Sequence, residues 1–135
     1  MADGAAIRFL PFAGRRVAYA VTGEGPPVVA PAWWISHLEL DWADAAFRGF
    51  WESVCAGYTL VRYDRLGVGM SDHEVHDDDL TLDTDVSVLR AVLDELSLDK
   101  VTMPGWNVKR TMPCNSFIVI VPRRGQSVRS RESSG

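Results

Sequence analysis

Covalent chemistry in a protein needs a nucleophile beside a base, and few residues of this chain can serve as either. Its three histidines, His37, His73 and His76, all precede residue 77, so no histidine follows Ser116 or Ser127, and neither serine has a glycine-rich turn around it. His73 and His76 stand three apart beside Glu74, Asp77, Asp78 and Asp79. They offer metal-ligand types, but their spacing fixes no tetrahedral geometry, and a solvated acidic loop is expected there, without metal. Cys55 and Cys114 have the spacing of neither a disulfide framework nor a metal site. Two stretches stand out. In Asp64-Arg65-Leu66-Gly67-Val68-Gly69-Met70-Ser71 the glycines lie two apart, where the backbone must bend or pass close to something, and Asp64 and Ser71 can bond amides inside the turn. In Trp33-Trp34-Ile35-Ser36-His37 the adjacent tryptophans cannot both face one core from a strand, so one is expected to line a cleft.

The elements around these stretches are legible from period and punctuation. Strands are expected over 7–12 and 17–22, joined by a tight turn at Ala13-Gly14, with a third over 28–30 after a Gly/Pro-rich turn. Ala43, Phe47, Phe50, Trp51 and Val54 recur on one helical face, and Gly57 is placed to end that helix. The apolar run from Tyr58 to Tyr63 predicts the strand that feeds the Asp64 turn. Thr81 is a candidate N-cap for a helix whose apolar face is Leu82, Val86, Leu89, Leu93 and Leu96, and residues 101–103 form a candidate fifth strand. Strand, hairpin, strand, loop, helix, strand, turn, helix, strand is the order of a mostly parallel sheet with right-handed crossovers.

The Asp64–Ser71 stretch resembles the D-x-R-G-x-G-x-S turn after the fourth strand of α/β-hydrolase enzymes, with Leu66 where that family usually has glycine. The tryptophan segment is similar to a W-x-S-H-L-E loop in one bacterial subgroup, some of whose members are fused to nucleotide-cyclase domains. The resemblance covers residues 5–104 and implies an incomplete α/β-hydrolase-like sheet, mostly parallel, with an N-terminal β-hairpin. It implies an ancestral hydrolysis of an ester or similar bond through a serine nucleophile, an acyl-enzyme and water, acting on a small-molecule substrate without a cofactor. It assigns an oxyanion-hole backbone N–H to Trp33, or to Trp34 if the loop is one residue longer, with Pro31-Ala32 replacing the usual His-Gly. Asp64, Arg65, Gly67, Gly69 and Ser71 are assigned to the structural turn.

The resemblance fails at the nucleophile elbow. The family has G-x-S-x-G after its fifth strand; here the register gives Gly105-Trp106-Asn107-Val108-Lys109, with Asn107 in the serine position. An amide nitrogen is not a nucleophile, so no catalytic residue is assigned and the chain is expected to be inactive. The residue vocabulary changes at the same point. Residues 1–104 carry a net charge of −9 and residues 105–135 one of +5; the latter contain no Ala, Leu or Asp, yet hold every Asn and Gln in the chain. Four accounts fit: a change of reading frame near codon 104, a rearrangement, a genuine non-catalytic relative that binds a small molecule or protein through the tryptophan cleft, or a basic arm bearing Arg123, Arg124, Arg129 and Arg131. The reading taken is an N-terminal part of a hydrolase-like domain over 1–104 and an atypical basic tail over 105–135. The 135 residues, 47% hydrophobic, suit one modest core. No secretory signal and no span-length apolar run occur, so a cytoplasmic location is expected, with neither nucleic acid nor membrane as partner. Phe117 to Val121 can add a strand. That run is equally an aggregation liability. The resemblance ends at the fifth strand, so one side of residues 101–103 is expected to lack a partner and to offer an edge for self-association.

Overall fold

The computed structural model describes residues 6–30, 32, 35–104, 116–120 and 129–132, the last two stretches and Pro104 as backbone. The first strand β1 (Ile7–Phe12) and the second, β2 (Arg15–Gly23), form an antiparallel hairpin. Phe12 faces Arg15 across it, so Ala13 and Gly14 are the whole turn, and both take positive φ, 46° and 77°. That is the mirror-image turn whose twist suits a hairpin. Then come β3 (Pro27–Val29), β4 (Thr59–Tyr63) and β5 (Lys100–Pro104), with β6 (Ser116–Ile120) and β7 (Arg129–Glu132) beyond them.

The sheet order is β1-β2-β4-β3-β5-β6-β7. At its centre β3 pairs in parallel with both β4 and β5, and the hairpin joins antiparallel through β2 and β4. These five strands and their helices make the expected incomplete α/β fold. The outer edge of β5 is not free: β6 pairs with it antiparallel, from Lys100 opposite Ile120 to Pro104 opposite Ser116, and β7 pairs with β6. Among the described strands the open edges are therefore β1 and β7.

Helices cover both faces. The helix expected from residue 43 is two elements, α1 (Leu38–Ala43) and α2 (Ala45–Val54), broken at Asp44. Asp44 has extended backbone, φ −74° and ψ 117°, and its carboxylate accepts from the Phe47 N–H at 2.9 Å. An N-cap is what a short acidic side chain does best at such a break. Trp42 and Trp51 pack with Val28, Ala30, Cys55 and Leu60 on this face, whereas Phe50 and Val54, expected inside, stay over two-fifths exposed. On the other face α3 (Leu82–Glu95), capped by Thr81, packs Val88, Val92 and Leu93 against Val17, Val29, Val61 and Val101. Its first apolar residues were expected in that stripe, but Leu82 is 77% and Val86 51% exposed. Burial begins only where the helix meets the sheet, from Val88 on. No helix among the described residues is long and apolar enough to cross a membrane.

Candidate functional site

Parallel strands that end together leave a crevice at their C-terminal ends, the usual place for a ligand in an open α/β sheet. Here that crevice adjoins the end of β4. Arg62 and Tyr63 give way to Asp64, which is 0% exposed. Its Oδ1 accepts from the Ser36 hydroxyl at 2.6 Å, and its Oδ2 accepts from the N–H groups of Leu38 at 3.0 Å and Met70 at 2.8 Å. A carboxylate that accepts three donors from two loops fixes both, because charge-assisted bonds are the strong ones. One loop is the Asp64–Ser71 turn; the other is the segment that carries the two tryptophans.

The turn closes by local means. The Ser71 hydroxyl donates to the Asp64 carbonyl at 2.7 Å and accepts from the Ala18 N–H at 2.9 Å, tying the turn to β2. The Gly67 N–H donates to the Asp72 carbonyl at 2.9 Å. Gly69 sits at φ +57°, and a Cβ there would collide with the Asp64 carboxylate and the Ser36 carbonyl. Glycine is the residue that permits both the left-handed backbone and the close approach. Arg65 reaches out of the turn to Asp85 on α3 with two bonds, 3.0 and 2.8 Å. Arg15 and Asp79 form a similar pair at 2.6 and 3.0 Å, which anchors the acidic loop to the hairpin. The Arg15 guanidinium, then the His76 N–H, holds the Asp79 carboxyl well below the usual carboxylate range.

The histidines are dispersed. His37 caps α1, its Nδ1 accepting from the Leu40 N–H at 3.1 Å. The His73 ring meets the Gly69 carbonyl at 2.7 Å, and His76 lies 3.7 Å from Glu74. Among the described residues no group of three or more His, Cys, Asp or Glu is placed to hold a metal. Trp33, Trp34 and Asn107 lie outside the described residues, so the oxyanion and nucleophile assignments stay sequence readings.

Between the turn and α3 lies an open cavity of about 530 Å³, bounded by Ala32, Tyr63, Arg65, Leu80, Leu82 and Asp85. Burial pushes the Tyr63 phenol up, partly offset by a backbone hydrogen bond from Ala32, so the group stays neutral at ordinary pH. The cavity thus offers one phenol, the Arg65–Asp85 ion pair and exposed leucine surface, enough to hold a small, partly apolar molecule. A larger hollow of about 610 Å³, lined by Val21, Trp51, Cys55 and Gly57 among others, opens at the opposite end of β4, away from this crevice. Sequence reasoning did not single out Ser36 or Tyr63. Ser36 was visible within the W-x-S-H segment; nothing local marked the phenol.

No family model matches the chain, and no curated protein matches it. Solved structures do. An α/β-hydrolase fold protein from Burkholderia ambifaria is 28% identical over 77% of this chain and 36% of its own, with a TM-score of 0.58. An epoxide hydrolase from Vigna radiata (21%, 74% and 31%, TM-score 0.60) and the thioesterase domain of the curacin biosynthetic pathway (22%, 75% and 36%, TM-score 0.59) share the fold. The chain spans about a third of the length of these proteins. The sheet order and this likeness agree: over about three quarters of its length the chain has the α/β-hydrolase fold and is related to that superfamily.

Proposed function

We propose that this chain builds the substrate-facing crevice of an α/β hydrolase without its nucleophile, so that it binds a small molecule there and does not hydrolyse it. The sequence observation that supports the reading is Asn107, which the register with the family's G-x-S-x-G motif puts in the serine position. The structural neighbours include epoxide hydrolases and a thioesterase, which supports an ancestor that hydrolysed an ester or similar bond. In such an ancestor a serine oxygen attacks the carbonyl carbon, a histidine takes its proton, and backbone N–H groups stabilise the oxyanion before water releases the acyl group. Asparagine can hydrogen-bond a ligand carbonyl but cannot form the acyl bond. The cavity beside Tyr63 and Arg65 supports binding of a compact, partly apolar ligand with one acceptor group.

The test uses the purified full chain. It should not release nitrophenol from p-nitrophenyl acetate above the buffer rate, and an organophosphonate probe should leave its mass unchanged. A short aryl ketone should quench its tryptophan fluorescence saturably. Covalent labelling at Ser116 or Ser127 would overturn the reading. The change of residue vocabulary at 105 supports a second account, a change of reading frame near codon 104. Its test is translation of the other two frames: one should give G-x-S-x-G within a few codons, and early stops in both would refute it.

A further inference from the structure

Arg62 sits inside β4 and is 5% exposed. Its guanidinium carbon lies 4.3 Å from the Trp42 ring centroid and 5.9 Å from that of Phe47. A guanidinium carries five N–H donors, and buried donors require acceptors. Among the described residues its hydrogen bonds go to a single oxygen, the Leu38 carbonyl, from Nη1 and Nη2, both at a long 3.4 Å. Burial lowers its pKa, and the carboxylates of Asp41 and Asp64 oppose the shift from a distance. Asp64 is already engaged by Ser36, Leu38 and Met70. Among the described residues, Asp41 is hydrogen-bonded through Oδ2, which accepts from the His37 N–H at 3.0 Å.

These groups border one small, partly open cavity of about 20 Å³, walled by Arg62, Asp41, Ser36, Asp64, Phe47 and Trp51. A space of roughly 10–15 Å³ on this measure admits one water, and a water needs at least two polar partners to stay. The charges select the occupant. Arg62 repels a cation, two carboxylates repel an anion, and an apolar occupant would leave the guanidinium, among the described residues, only its two long contacts to the Leu38 carbonyl. We propose that this cavity is a binding site for one ordered water molecule, which accepts from the Arg62 guanidinium and donates to Asp41 Oδ1. The water then joins β4 to α1 and, through Leu38, to the segment that Asp64 also holds.

Oxygen-17 magnetic relaxation dispersion counts long-lived internal waters and tests this on the full chain. Arg62→Met should lower the count by one relative to the wild type, and Asp41→Leu, which removes the acceptor but keeps the cation, should do the same. Equal counts in the wild type and either folded variant would overturn the proposal. A high-resolution crystal structure of the wild type decides independently of any variant. A solvent peak within hydrogen-bonding distance of both Arg62 and Asp41 is expected; a direct Arg62–Asp41 ion pair with the cavity closed would refute the site.

Discussion

Replacing Asp64 tests whether one carboxylate holds the two loops of the crevice together. In Asp64→Ala the N–H groups of Leu38 and Met70 lose their acceptor, while the Ser36 hydroxyl can rotate toward another. Each buried donor left unpaired costs about 1–3 kcal/mol, so the two amides alone cost about 2–6 kcal/mol. Asp64→Asn keeps the shape. Its amide oxygen can accept from both N–H groups, and its NH₂ can donate to the Ser36 oxygen, so that only charge assistance is lost, about 2 kcal/mol summed over the three bonds. The expected ranking is wild type, then Asn lower by about 2 kcal/mol, then Ala lower by about 4 kcal/mol, against a usual domain stability of about 5–15 kcal/mol. Urea unfolding at neutral pH, followed by circular dichroism and tryptophan fluorescence with a shared slope, measures it. Hydrogen exchange at the Leu38 and Met70 amides locates it. An alanine variant within about 1 kcal/mol of wild type would refute the hub, because that is less than the cost of one orphaned donor. So would an asparagine variant as unstable as the alanine one.

Gly69→Ala combines a left-handed backbone with a collision against Asp64 and Ser36, and is expected to cost about 2–5 kcal/mol. Gly14→Ala, at φ +77° with open space around it, should cost only the backbone part, about 1–2 kcal/mol. Thermal melts of the pair separate the two terms, and equal losses would show that no close approach exists at Gly69. The Arg15–Asp79 pair sets an acid limb. The folded-state pKa of Asp79 is depressed, so its contribution is present above the unfolded value of about 3.9 and is lost as pH falls below that value toward the folded one. Asp79→Asn should therefore be less stable than wild type at neutral pH and converge with it in strong acid. A gap in urea midpoints that widens on acidification would contradict the pairing.

The parts of the fold that could be read from sequence are those where a local rule has one solution. Ala13-Gly14 between two strand-like runs leaves little but a two-residue hairpin, and Gly67 and Gly69 after a buried strand leave little but a tight turn. The Asp64 hub was half legible: its role inside the turn follows from residue type, whereas Ser36 is brought to it from 28 positions away by the fold alone. The break at Asp44 was hidden because α1 is only six residues long and buries just Leu38 and Trp42, too few to set a period. Arg62 was overlooked inside a run read as apolar. The described groups that cover it, Trp42, Phe47 and Leu38, are all contributed by another segment. Along α3 the spacing predicts the helix but not its buried length: Leu82 borders the open cavity, and Val86, one turn on, is still half exposed.

The edge of β5 shows how a resemblance can obscure a simpler constraint. The family reaches its next strand through a helical crossover and pairs it in parallel, which made an unpaired β5 the natural expectation. A parallel return needs a connection of a dozen or more residues, usually a helix. Between Pro104 and Ser116 there are eleven, residues 105–115, so an apolar run at 116–120 returns to β5 antiparallel, as the register from Pro104–Ser116 to Lys100–Ile120 requires. The outcome alters the character of the sheet's border. Val101-Thr102-Met103 would have presented an apolar edge, the kind that recruits other chains. The outermost described strand is instead Arg129-Ser130-Arg131-Glu132, and charged residues on a short strand are among the ways natural sheets discourage edge-to-edge pairing. The basic tail, foreign to the rest of the chain in composition, thus supplies the strand that pairs with β5 and, beyond it, a short charged strand as the outermost described one.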